Sequence, residues 1–270
     1  MDRPGLVASD VDGTLLDPTE RVSDRTRAVV HRVIAVGVPF VLVTGRPPRW
    51  ISPVIEQLGY AGATICANGA VHYDAAAGRV RHAVTLEPEQ LRDAADAVAR
   101  ALPGATLAVE LSGGPVKANG LGEFLSEPNY THPWPGADSE TAPREVLLGR
   151  PAIKMLVRLP DASSDAMAVA VREMLGTELD ITFSTGHGLI ELSAPGVTKG
   201  TGLARLAAEL SVPAADVVAF GDMPNDLPML EWAGWGVAMA NAHPAVLGAA
   251  DEITAPNSED GLALVLERWF

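Results

Sequence analysis

Five side chains of this 270-residue sequence could do chemistry together although they lie far apart along it: Asp10, Asp12, Thr44, Lys199 and Asp222. Each sits just past an apolar run or at the start of a helical pattern. Asp10 and Asp12 follow Leu6-Val7-Ala8-Ser9, Thr44 follows Phe40-Val41-Leu42-Val43, Asp222 follows Val217-Val218-Ala219-Phe220-Gly221, and Lys199 opens an amphipathic segment. Gathered carboxylates repel one another and any anion. A hard divalent cation such as Mg²⁺ turns them into a site that clamps phosphate oxygens. One lysine and backbone N–H groups then neutralise the charge of a phosphoryl group in transfer. Taken singly the residues say little: Asp-x-Asp-Gly is a common turn, Thr44 could cap a helix, and a helix-start lysine is usually solvated. The set carries the reading.

The elements that must position these residues alternate. Leu6–Ser9 reads as a short buried parallel strand. Ser23 is a suitable N-cap for a helix with Thr26, Val30, Val33 and Ile34 on one face, closed by Gly37. After the strand at 40–43, Pro47 and Pro48 suit a first helical turn, and Ile51, Val54, Ile55 and Leu58 fall at helical spacing. Ala63-Thr64-Ile65-Cys66 is a third strand, ending on Asn68-Gly69-Ala70. The rhythm returns late: a helix from Lys199, a strand at 217–220, a short helix that Asp226 could cap, and a strand at 236–239. Alternation of this kind implies a parallel sheet with helices on its faces, and ligands bind such sheets at the carboxyl ends of the strands.

Between about Arg81 and Glu191 the pattern changes. A helix over Glu87–Leu102 precedes a strand at Thr106–Leu111, and a Pro- and Gly-containing stretch over Glu127–Pro143 has no period. A strand (Ile153–Leu159), a helix bearing Met167, Val171 and Leu175, and a hairpin turning at Gly186-His187-Gly188 follow. This is an α+β insertion with its own core.

Composition narrows the classes. A formal charge of −14 repels nucleic acid. The single cysteine, Cys66, excludes a disulfide framework or a cysteine metal site within one chain. No apolar run is long enough to span a bilayer and no signal-peptide pattern opens the chain, so a cytoplasmic protein without a membrane partner is expected. The six histidines show no metal-ligand spacing.

The sequence resembles the haloacid dehalogenase-like hydrolases, and within them the Cof-type sugar phosphatase branch. The resemblance lies in Asp10-Val11-Asp12-Gly13-Thr14-Leu15-Leu16-Asp17, Thr44-Gly45-Arg46, Lys199 within Gly196-Val197-Thr198-Lys199-Gly200, and Gly221-Asp222-Met223-Pro224-Asn225-Asp226, in that order. The insertion falls between the second and third motifs. One departure is Met223-Pro224, where many members carry Asn and a variable residue, which implies a small change of loop shape.

The resemblance implies a Mg²⁺-dependent phosphatase acting on a small phosphorylated metabolite, a sugar phosphate above all. Asp10 is then the nucleophile that becomes an aspartyl phosphate, and Asp12 the acid and base. Mg²⁺ would be held by Asp10, the backbone carbonyl of Asp12, and Asp222. Thr44, Gly45, Lys199, Asn225 and the backbone at Val11 would hold the phosphate. Asp226 would orient Lys199 or a metal-bound water.

The expected fold is α/β: a Rossmann-like parallel sheet core, residues 1–80 and 192–270, with an inserted α+β cap, 81–191. Other positions stay open. Arg46 reaches substrate or pairs with a cap carboxylate, and Asn68 touches substrate or satisfies turn backbone. His187 is the histidine to watch, because its hairpin could face the core. Tyr130, His132 and Trp134 either line a substrate pocket or pack a surface loop. Two rival functions share the aspartyl phosphate: a phosphomutase or phosphotransferase, and a receiver-like signalling module, which is about half this length and has no cap. Nothing in the sequence fixes the oligomeric state.

Overall fold

A computed structural model of the chain describes residues 2–111, 124–133 and 139–270. Two compact units emerge, one built from residues 1–82 and 198–270 and the other from 83–197.

The first unit opens with β1 (Leu6–Ser9), α1 (Asp24–Ala35), β2 (Phe40–Val43), α2 (Ser52–Leu58), β3 (Ala63–Cys66), β4 (Val71–Asp74) and β5 (Arg79–Ala83). Ser23 caps α1 by accepting from the Thr26 N–H at 3.0 Å, as its position before the apolar stripe predicts. Pro48 begins a 3₁₀ turn (Pro48–Trp50) ahead of α2, a tighter entry than one continuous helix.

The second unit holds α3 (Pro88–Ala101), β6 (Thr106–Leu111), β7 (Phe124–Ser126), β8 (Glu140–Thr141), α4 (Arg144–Leu147), β9 (Ala152–Ser163), α5 (Ser164–Leu175), β10 (Asp180–Thr182) and β11 (His187–Ser193). Its described strands form a sheet in the order β10-β11-β9-β6-β7-β8, antiparallel except for β7 and β8. A Lys154–Glu191 ion pair is buried on it. The expected hairpin lies earlier than its glycines suggest. Residues 183–186 make the turn, and His187 already stands in β11, paired with Ser163 across the strand.

The chain then returns to the first unit through α6 (Lys199–Glu209), β12 (Val217–Gly221), α7 (Leu227–Trp232), β13 (Trp235–Ala238), α8 (Pro244–Ala249), β14 (Glu252–Ile253) and α9 (Gly261–Leu266). The eight strands of this unit run β14-β13-β12-β1-β2-β3-β4-β5. From β14 to β3 they are parallel, and β3 pairs β4 antiparallel. The β4–β5 hairpin carries no long apolar run, which is why periodicity alone does not announce it.

Alternation along β1 builds a core on each face. Val7 joins Val29, Val33 and Leu262 on one side. Leu6 and Ala8 join Leu203, Leu206 and Met229 on the other. At about 25 cal/mol per Å² of apolar area removed from water, two such layers are the main stabilising term. Successive strands step from β1 to β3 in one direction, and from β12 to β14 in the other. The order therefore reverses between β1 and β12, and a crevice opens at their carboxyl ends.

Candidate active site

Asp10 and Asp222 lie one residue past the two strands that flank this reversal. Val7 pairs Val218 and Ser9 pairs Phe220, and the Asp10 N–H donates to the Phe220 carbonyl at 2.9 Å. The strand register thus sets the two carboxylates side by side. A wide helical turn follows over Val11–Leu15, closed by the Leu16 N–H on the Val11 carbonyl at 2.9 Å. Gly13 within it takes φ +81°, and a Cβ there would collide with the Asp222 carboxylate, so a side chain is excluded on both counts. Thr14, a position to which motif reading gave no role, donates its hydroxyl to Asp222 Oδ1 at 3.2 Å.

Lys199 reaches this carboxylate pair from the first turn of α6. Thr198 caps that helix by accepting from the Thr201 N–H at 3.1 Å. The turn after β3 supports it from beside: Gly69, at φ +102°, lies where a Cβ would strike the Thr198 carbonyl. The Lys199 ammonium, only 1% exposed, donates to Asp10 Oδ1 at 2.5 Å and to Asp226 Oδ1 at 2.6 Å.

Asp226 differs from its expected capping role. Its side chain makes no cap bond to α7. Instead Oδ2 accepts from the Asp222 and Met223 N–H groups, each at 2.9 Å, while Oδ1 takes Lys199. A buried ammonium without a partner would be costly, and a charge-assisted bond outweighs one helix cap. Position 223 contributes its backbone N–H here, so Met satisfies the loop as well as Asn would.

Burial, then the Asp226 charge, pushes the Asp10 carboxyl well above the usual carboxylate range, against the pull of Lys199. The same two causes raise Asp222 from 3.8 to about 7. For Lys199, burial disfavours the charge, but Asp10 and Asp226 outweigh it and keep the ammonium above its ordinary value. Three buried carboxylates face one cation, so the cluster is short of positive charge.

One ligand atom from each of Asp10, Asp222 and Asp226 falls within 4.8 Å of the others, a donor set that suits a hard divalent ion. Both Asp226 oxygens are already engaged, leaving Asp10 and Asp222 as the carboxylates with capacity to ligate.

A hydrogen-bonded arc adjoins the cluster. Thr44 Oγ1 accepts from the Arg46 N–H at 3.0 Å, and the Asn68 N–H donates to the Thr44 carbonyl at 3.0 Å. Asn68, held at φ +55° in a region that asparagine tolerates, receives Asn225 Nδ2 on its Oδ1 at 3.0 Å. Gly45 packs against the same Asn68 side chain. Val11 is buried at the head of the wide turn.

The comparisons with known proteins decide the family. The model of the haloacid dehalogenase-like hydrolases matches residues 7–266. The chain belongs to this family. The hydrolase is 29% identical to a 5-amino-6-(5-phospho-D-ribitylamino)uracil phosphatase of Bacillus subtilis, over 99% of this chain and 98% of that one. It is 28% identical to an HMP-PP phosphatase of Cronobacter sakazakii, over 98% and 95%. Among solved structures, a haloacid dehalogenase-like hydrolase of B. subtilis superposes with a TM-score of 0.82 at 25% identity, covering 98% of this chain and all of that one. The hydrolase is thus a phosphatase of this family, with the α/β fold expected from its motifs.

Not every expected residue of the hydrolase joins the cluster. Asp12 is exposed, and its carboxylate is bound by Arg46. Arg46 therefore pairs within its own unit, not with a carboxylate of the insertion; the two loops leave adjacent strands, a closeness invisible in the sequence. His187 belongs to the other unit, where it is exposed and its carbonyl accepts from Arg158 at 2.6 Å. Tyr130 packs there against Phe124 and His132, and Trp134 lies outside the described residues.

Proposed function

We propose that this phosphatase hydrolyses a small phosphomonoester, a sugar phosphate above all, through a phosphoryl group carried on Asp10. The observation that carries the reading is the buried Asp10 carboxylate on the Lys199 ammonium at 2.5 Å, beside Asp222 at the strand-order reversal. In the first step an Asp10 oxygen forms the bond to phosphorus as the ester P–O bond breaks, and Asp12 gives its proton to the leaving alkoxide. In the second, Asp12 takes a proton from water as that water displaces Asp10 from phosphorus. Thr44, Gly45, Asn225 and the Val11 backbone are the phosphate ligands of this reading, and Asp226 holds Lys199 in place.

Asp10, Asp222 and the Asp12 carbonyl would hold Mg²⁺, which supplies charge neutralisation to the phosphate oxygens. The insertion, expected at 81–191, is assigned the role of a cap that sets substrate choice, with His187 and the Tyr130–His132 segment as candidates for contact.

The test is phosphate release from a panel of phosphorylated metabolites, with Mg²⁺ and with excess EDTA. Metal-dependent release that vanishes in Asp10→Asn supports the reading. Transfer of label to a second sugar without free phosphate would replace it with a phosphotransferase.

A further inference from the structure

On the β4–β5 side of the first unit, a cavity of about 340 Å³ opens between the sheet and α6, with Thr64, His72, Arg81, His82, Arg205 and Glu209 in its wall. In a chain with a formal charge of −14, this wall is rich in donors. Arg205 Nη1 lies 2.9 Å from His82 Nε2. A guanidinium only donates, so Nε2 is the acceptor and the remaining hydrogen of a neutral His82 sits on Nδ1. The His72 ring meets His82 edge-on at 5.9 Å. His72 is 5% exposed and lines the same cavity. Glu209, 3.7 Å from Arg205 across one helical turn, is the single carboxylate in the wall.

We propose that this cavity is a second anion site, which binds a small oxyanion through Arg81, Arg205 and the imidazoles of His72 and His82. Two guanidiniums give the planar forks that match carboxylate or phosphate oxygens. The His82 Nδ1–H and a ring N–H of His72 add donors from two rings whose planes stand 88° apart. The site is separate from the Asp10 cluster: Arg205 stands six residues beyond Lys199 on α6, about 9 Å along the axis and on another face. Phosphate esters and dicarboxylates share the required chemistry, and the experiment distinguishes them.

The six histidines make the imidazole resonances of the full chain easy to follow by NMR, with His72→Gln and His82→Gln providing assignments. The chain is titrated with inorganic phosphate, with succinate, and with chloride at matched ionic strength. The expected result is a saturable shift of the His72 and His82 signals with one oxyanion and none with chloride. Saturation with phosphate alone marks a phosphate-bearing ligand, and with succinate alone a carboxylate. Arg205→Ala should weaken that binding about tenfold or more while phosphate release stays within about twofold of wild type. If Arg205→Ala does not fold, Arg81→Ala reads the same loss. Shifts that rise linearly with every salt, or binding untouched in both arginine variants, would overturn the proposal.

Discussion

Arg46 grips Asp12 with both arms of its guanidinium: Nε lies 2.8 Å from Oδ2 and Nη2 lies 2.5 Å from Oδ1. Asp12 is exposed where Asp10 is buried, so without this fork its carboxylate would sample several rotamers.

Replacement of Arg46 by Ala should therefore lower kcat about tenfold or more and change KM less, because the proton donor is displaced while the phosphate ligands remain. Arg46→Lys should not restore the rate, since a point charge cannot reproduce a two-armed contact. Steady-state kinetics on the best substrate of the panel checks both; full activity in Arg46→Lys would show that charge alone suffices.

Asp10→Asn should abolish turnover without unfolding the protein. An amide keeps the volume and removes one of the crowded carboxylates, so the metal-free melting temperature near pH 7 should equal or exceed that of wild type. Calorimetry beside the phosphate-release assay separates chemistry from stability, and a marked fall in Tm would mean that Asp10 is needed for the fold.

A pH dependence follows from Asp222. Its carboxyl titrates near 7 in the folded protein against 3.8 as the ordinary value, so over that interval the folded state holds a proton that the unfolded chain has released. The stability this lends is complete below about pH 4 and is lost as pH rises through about 7. Relative to Asp222→Asn, metal-free wild type should grow less stable over that range, and saturating Mg²⁺ should reverse the trend in wild type only. Melting curves at stepped pH, in EDTA and in Mg²⁺, measure it. A gap between the two proteins that does not change with pH would contradict the raised value.

Lys199→Ala should cost both activity and stability. Removing one partner from buried ion pairs costs about 3–5 kcal/mol when the remaining charge stays ionised. Because the buried Asp10 carboxyl, already raised, escapes the penalty by taking up a proton, the loss of Tm should shrink as pH falls. Equal destabilisation at pH 5 and pH 8 would place the effect in packing instead.

Much of this arrangement was legible beforehand, for a physical reason. Strands such as β1 and β12 are buried on both faces, so they read as unbroken apolar runs, and the polar residue that ends each run is the one presented at the sheet edge. The helix start at Ser23 declares itself through capping chemistry. What stayed hidden depends on cross-chain pairing. The Asp12–Arg46 fork joins two loops, and Asp226 looks like a helix cap until Lys199 is known to lie beneath it. Thr14 carries no signal beyond its place after Gly13. The β4–β5 hairpin has strands of only four and five residues, too short for periodicity to announce, and the 183–186 turn ends on Gly186 while Gly188 already lies in β11.

The lysine and the aspartate at the centre of the cluster are 189 residues apart, and β1 has its β12 partner only at Val217–Phe220. On the ribosome, which releases the chain from its N-terminus, the first 83 residues hold five of the sheet's eight strands with one flank of β1 bare. The second unit, continuous over 83–197, is complete earlier. Folding of the unit that bears the cluster must therefore await the last quarter of synthesis, with the slow closure that such distant contacts impose. A premature stop anywhere before α6 yields a chain with the carboxylate of Asp10 but no cation to sit against it.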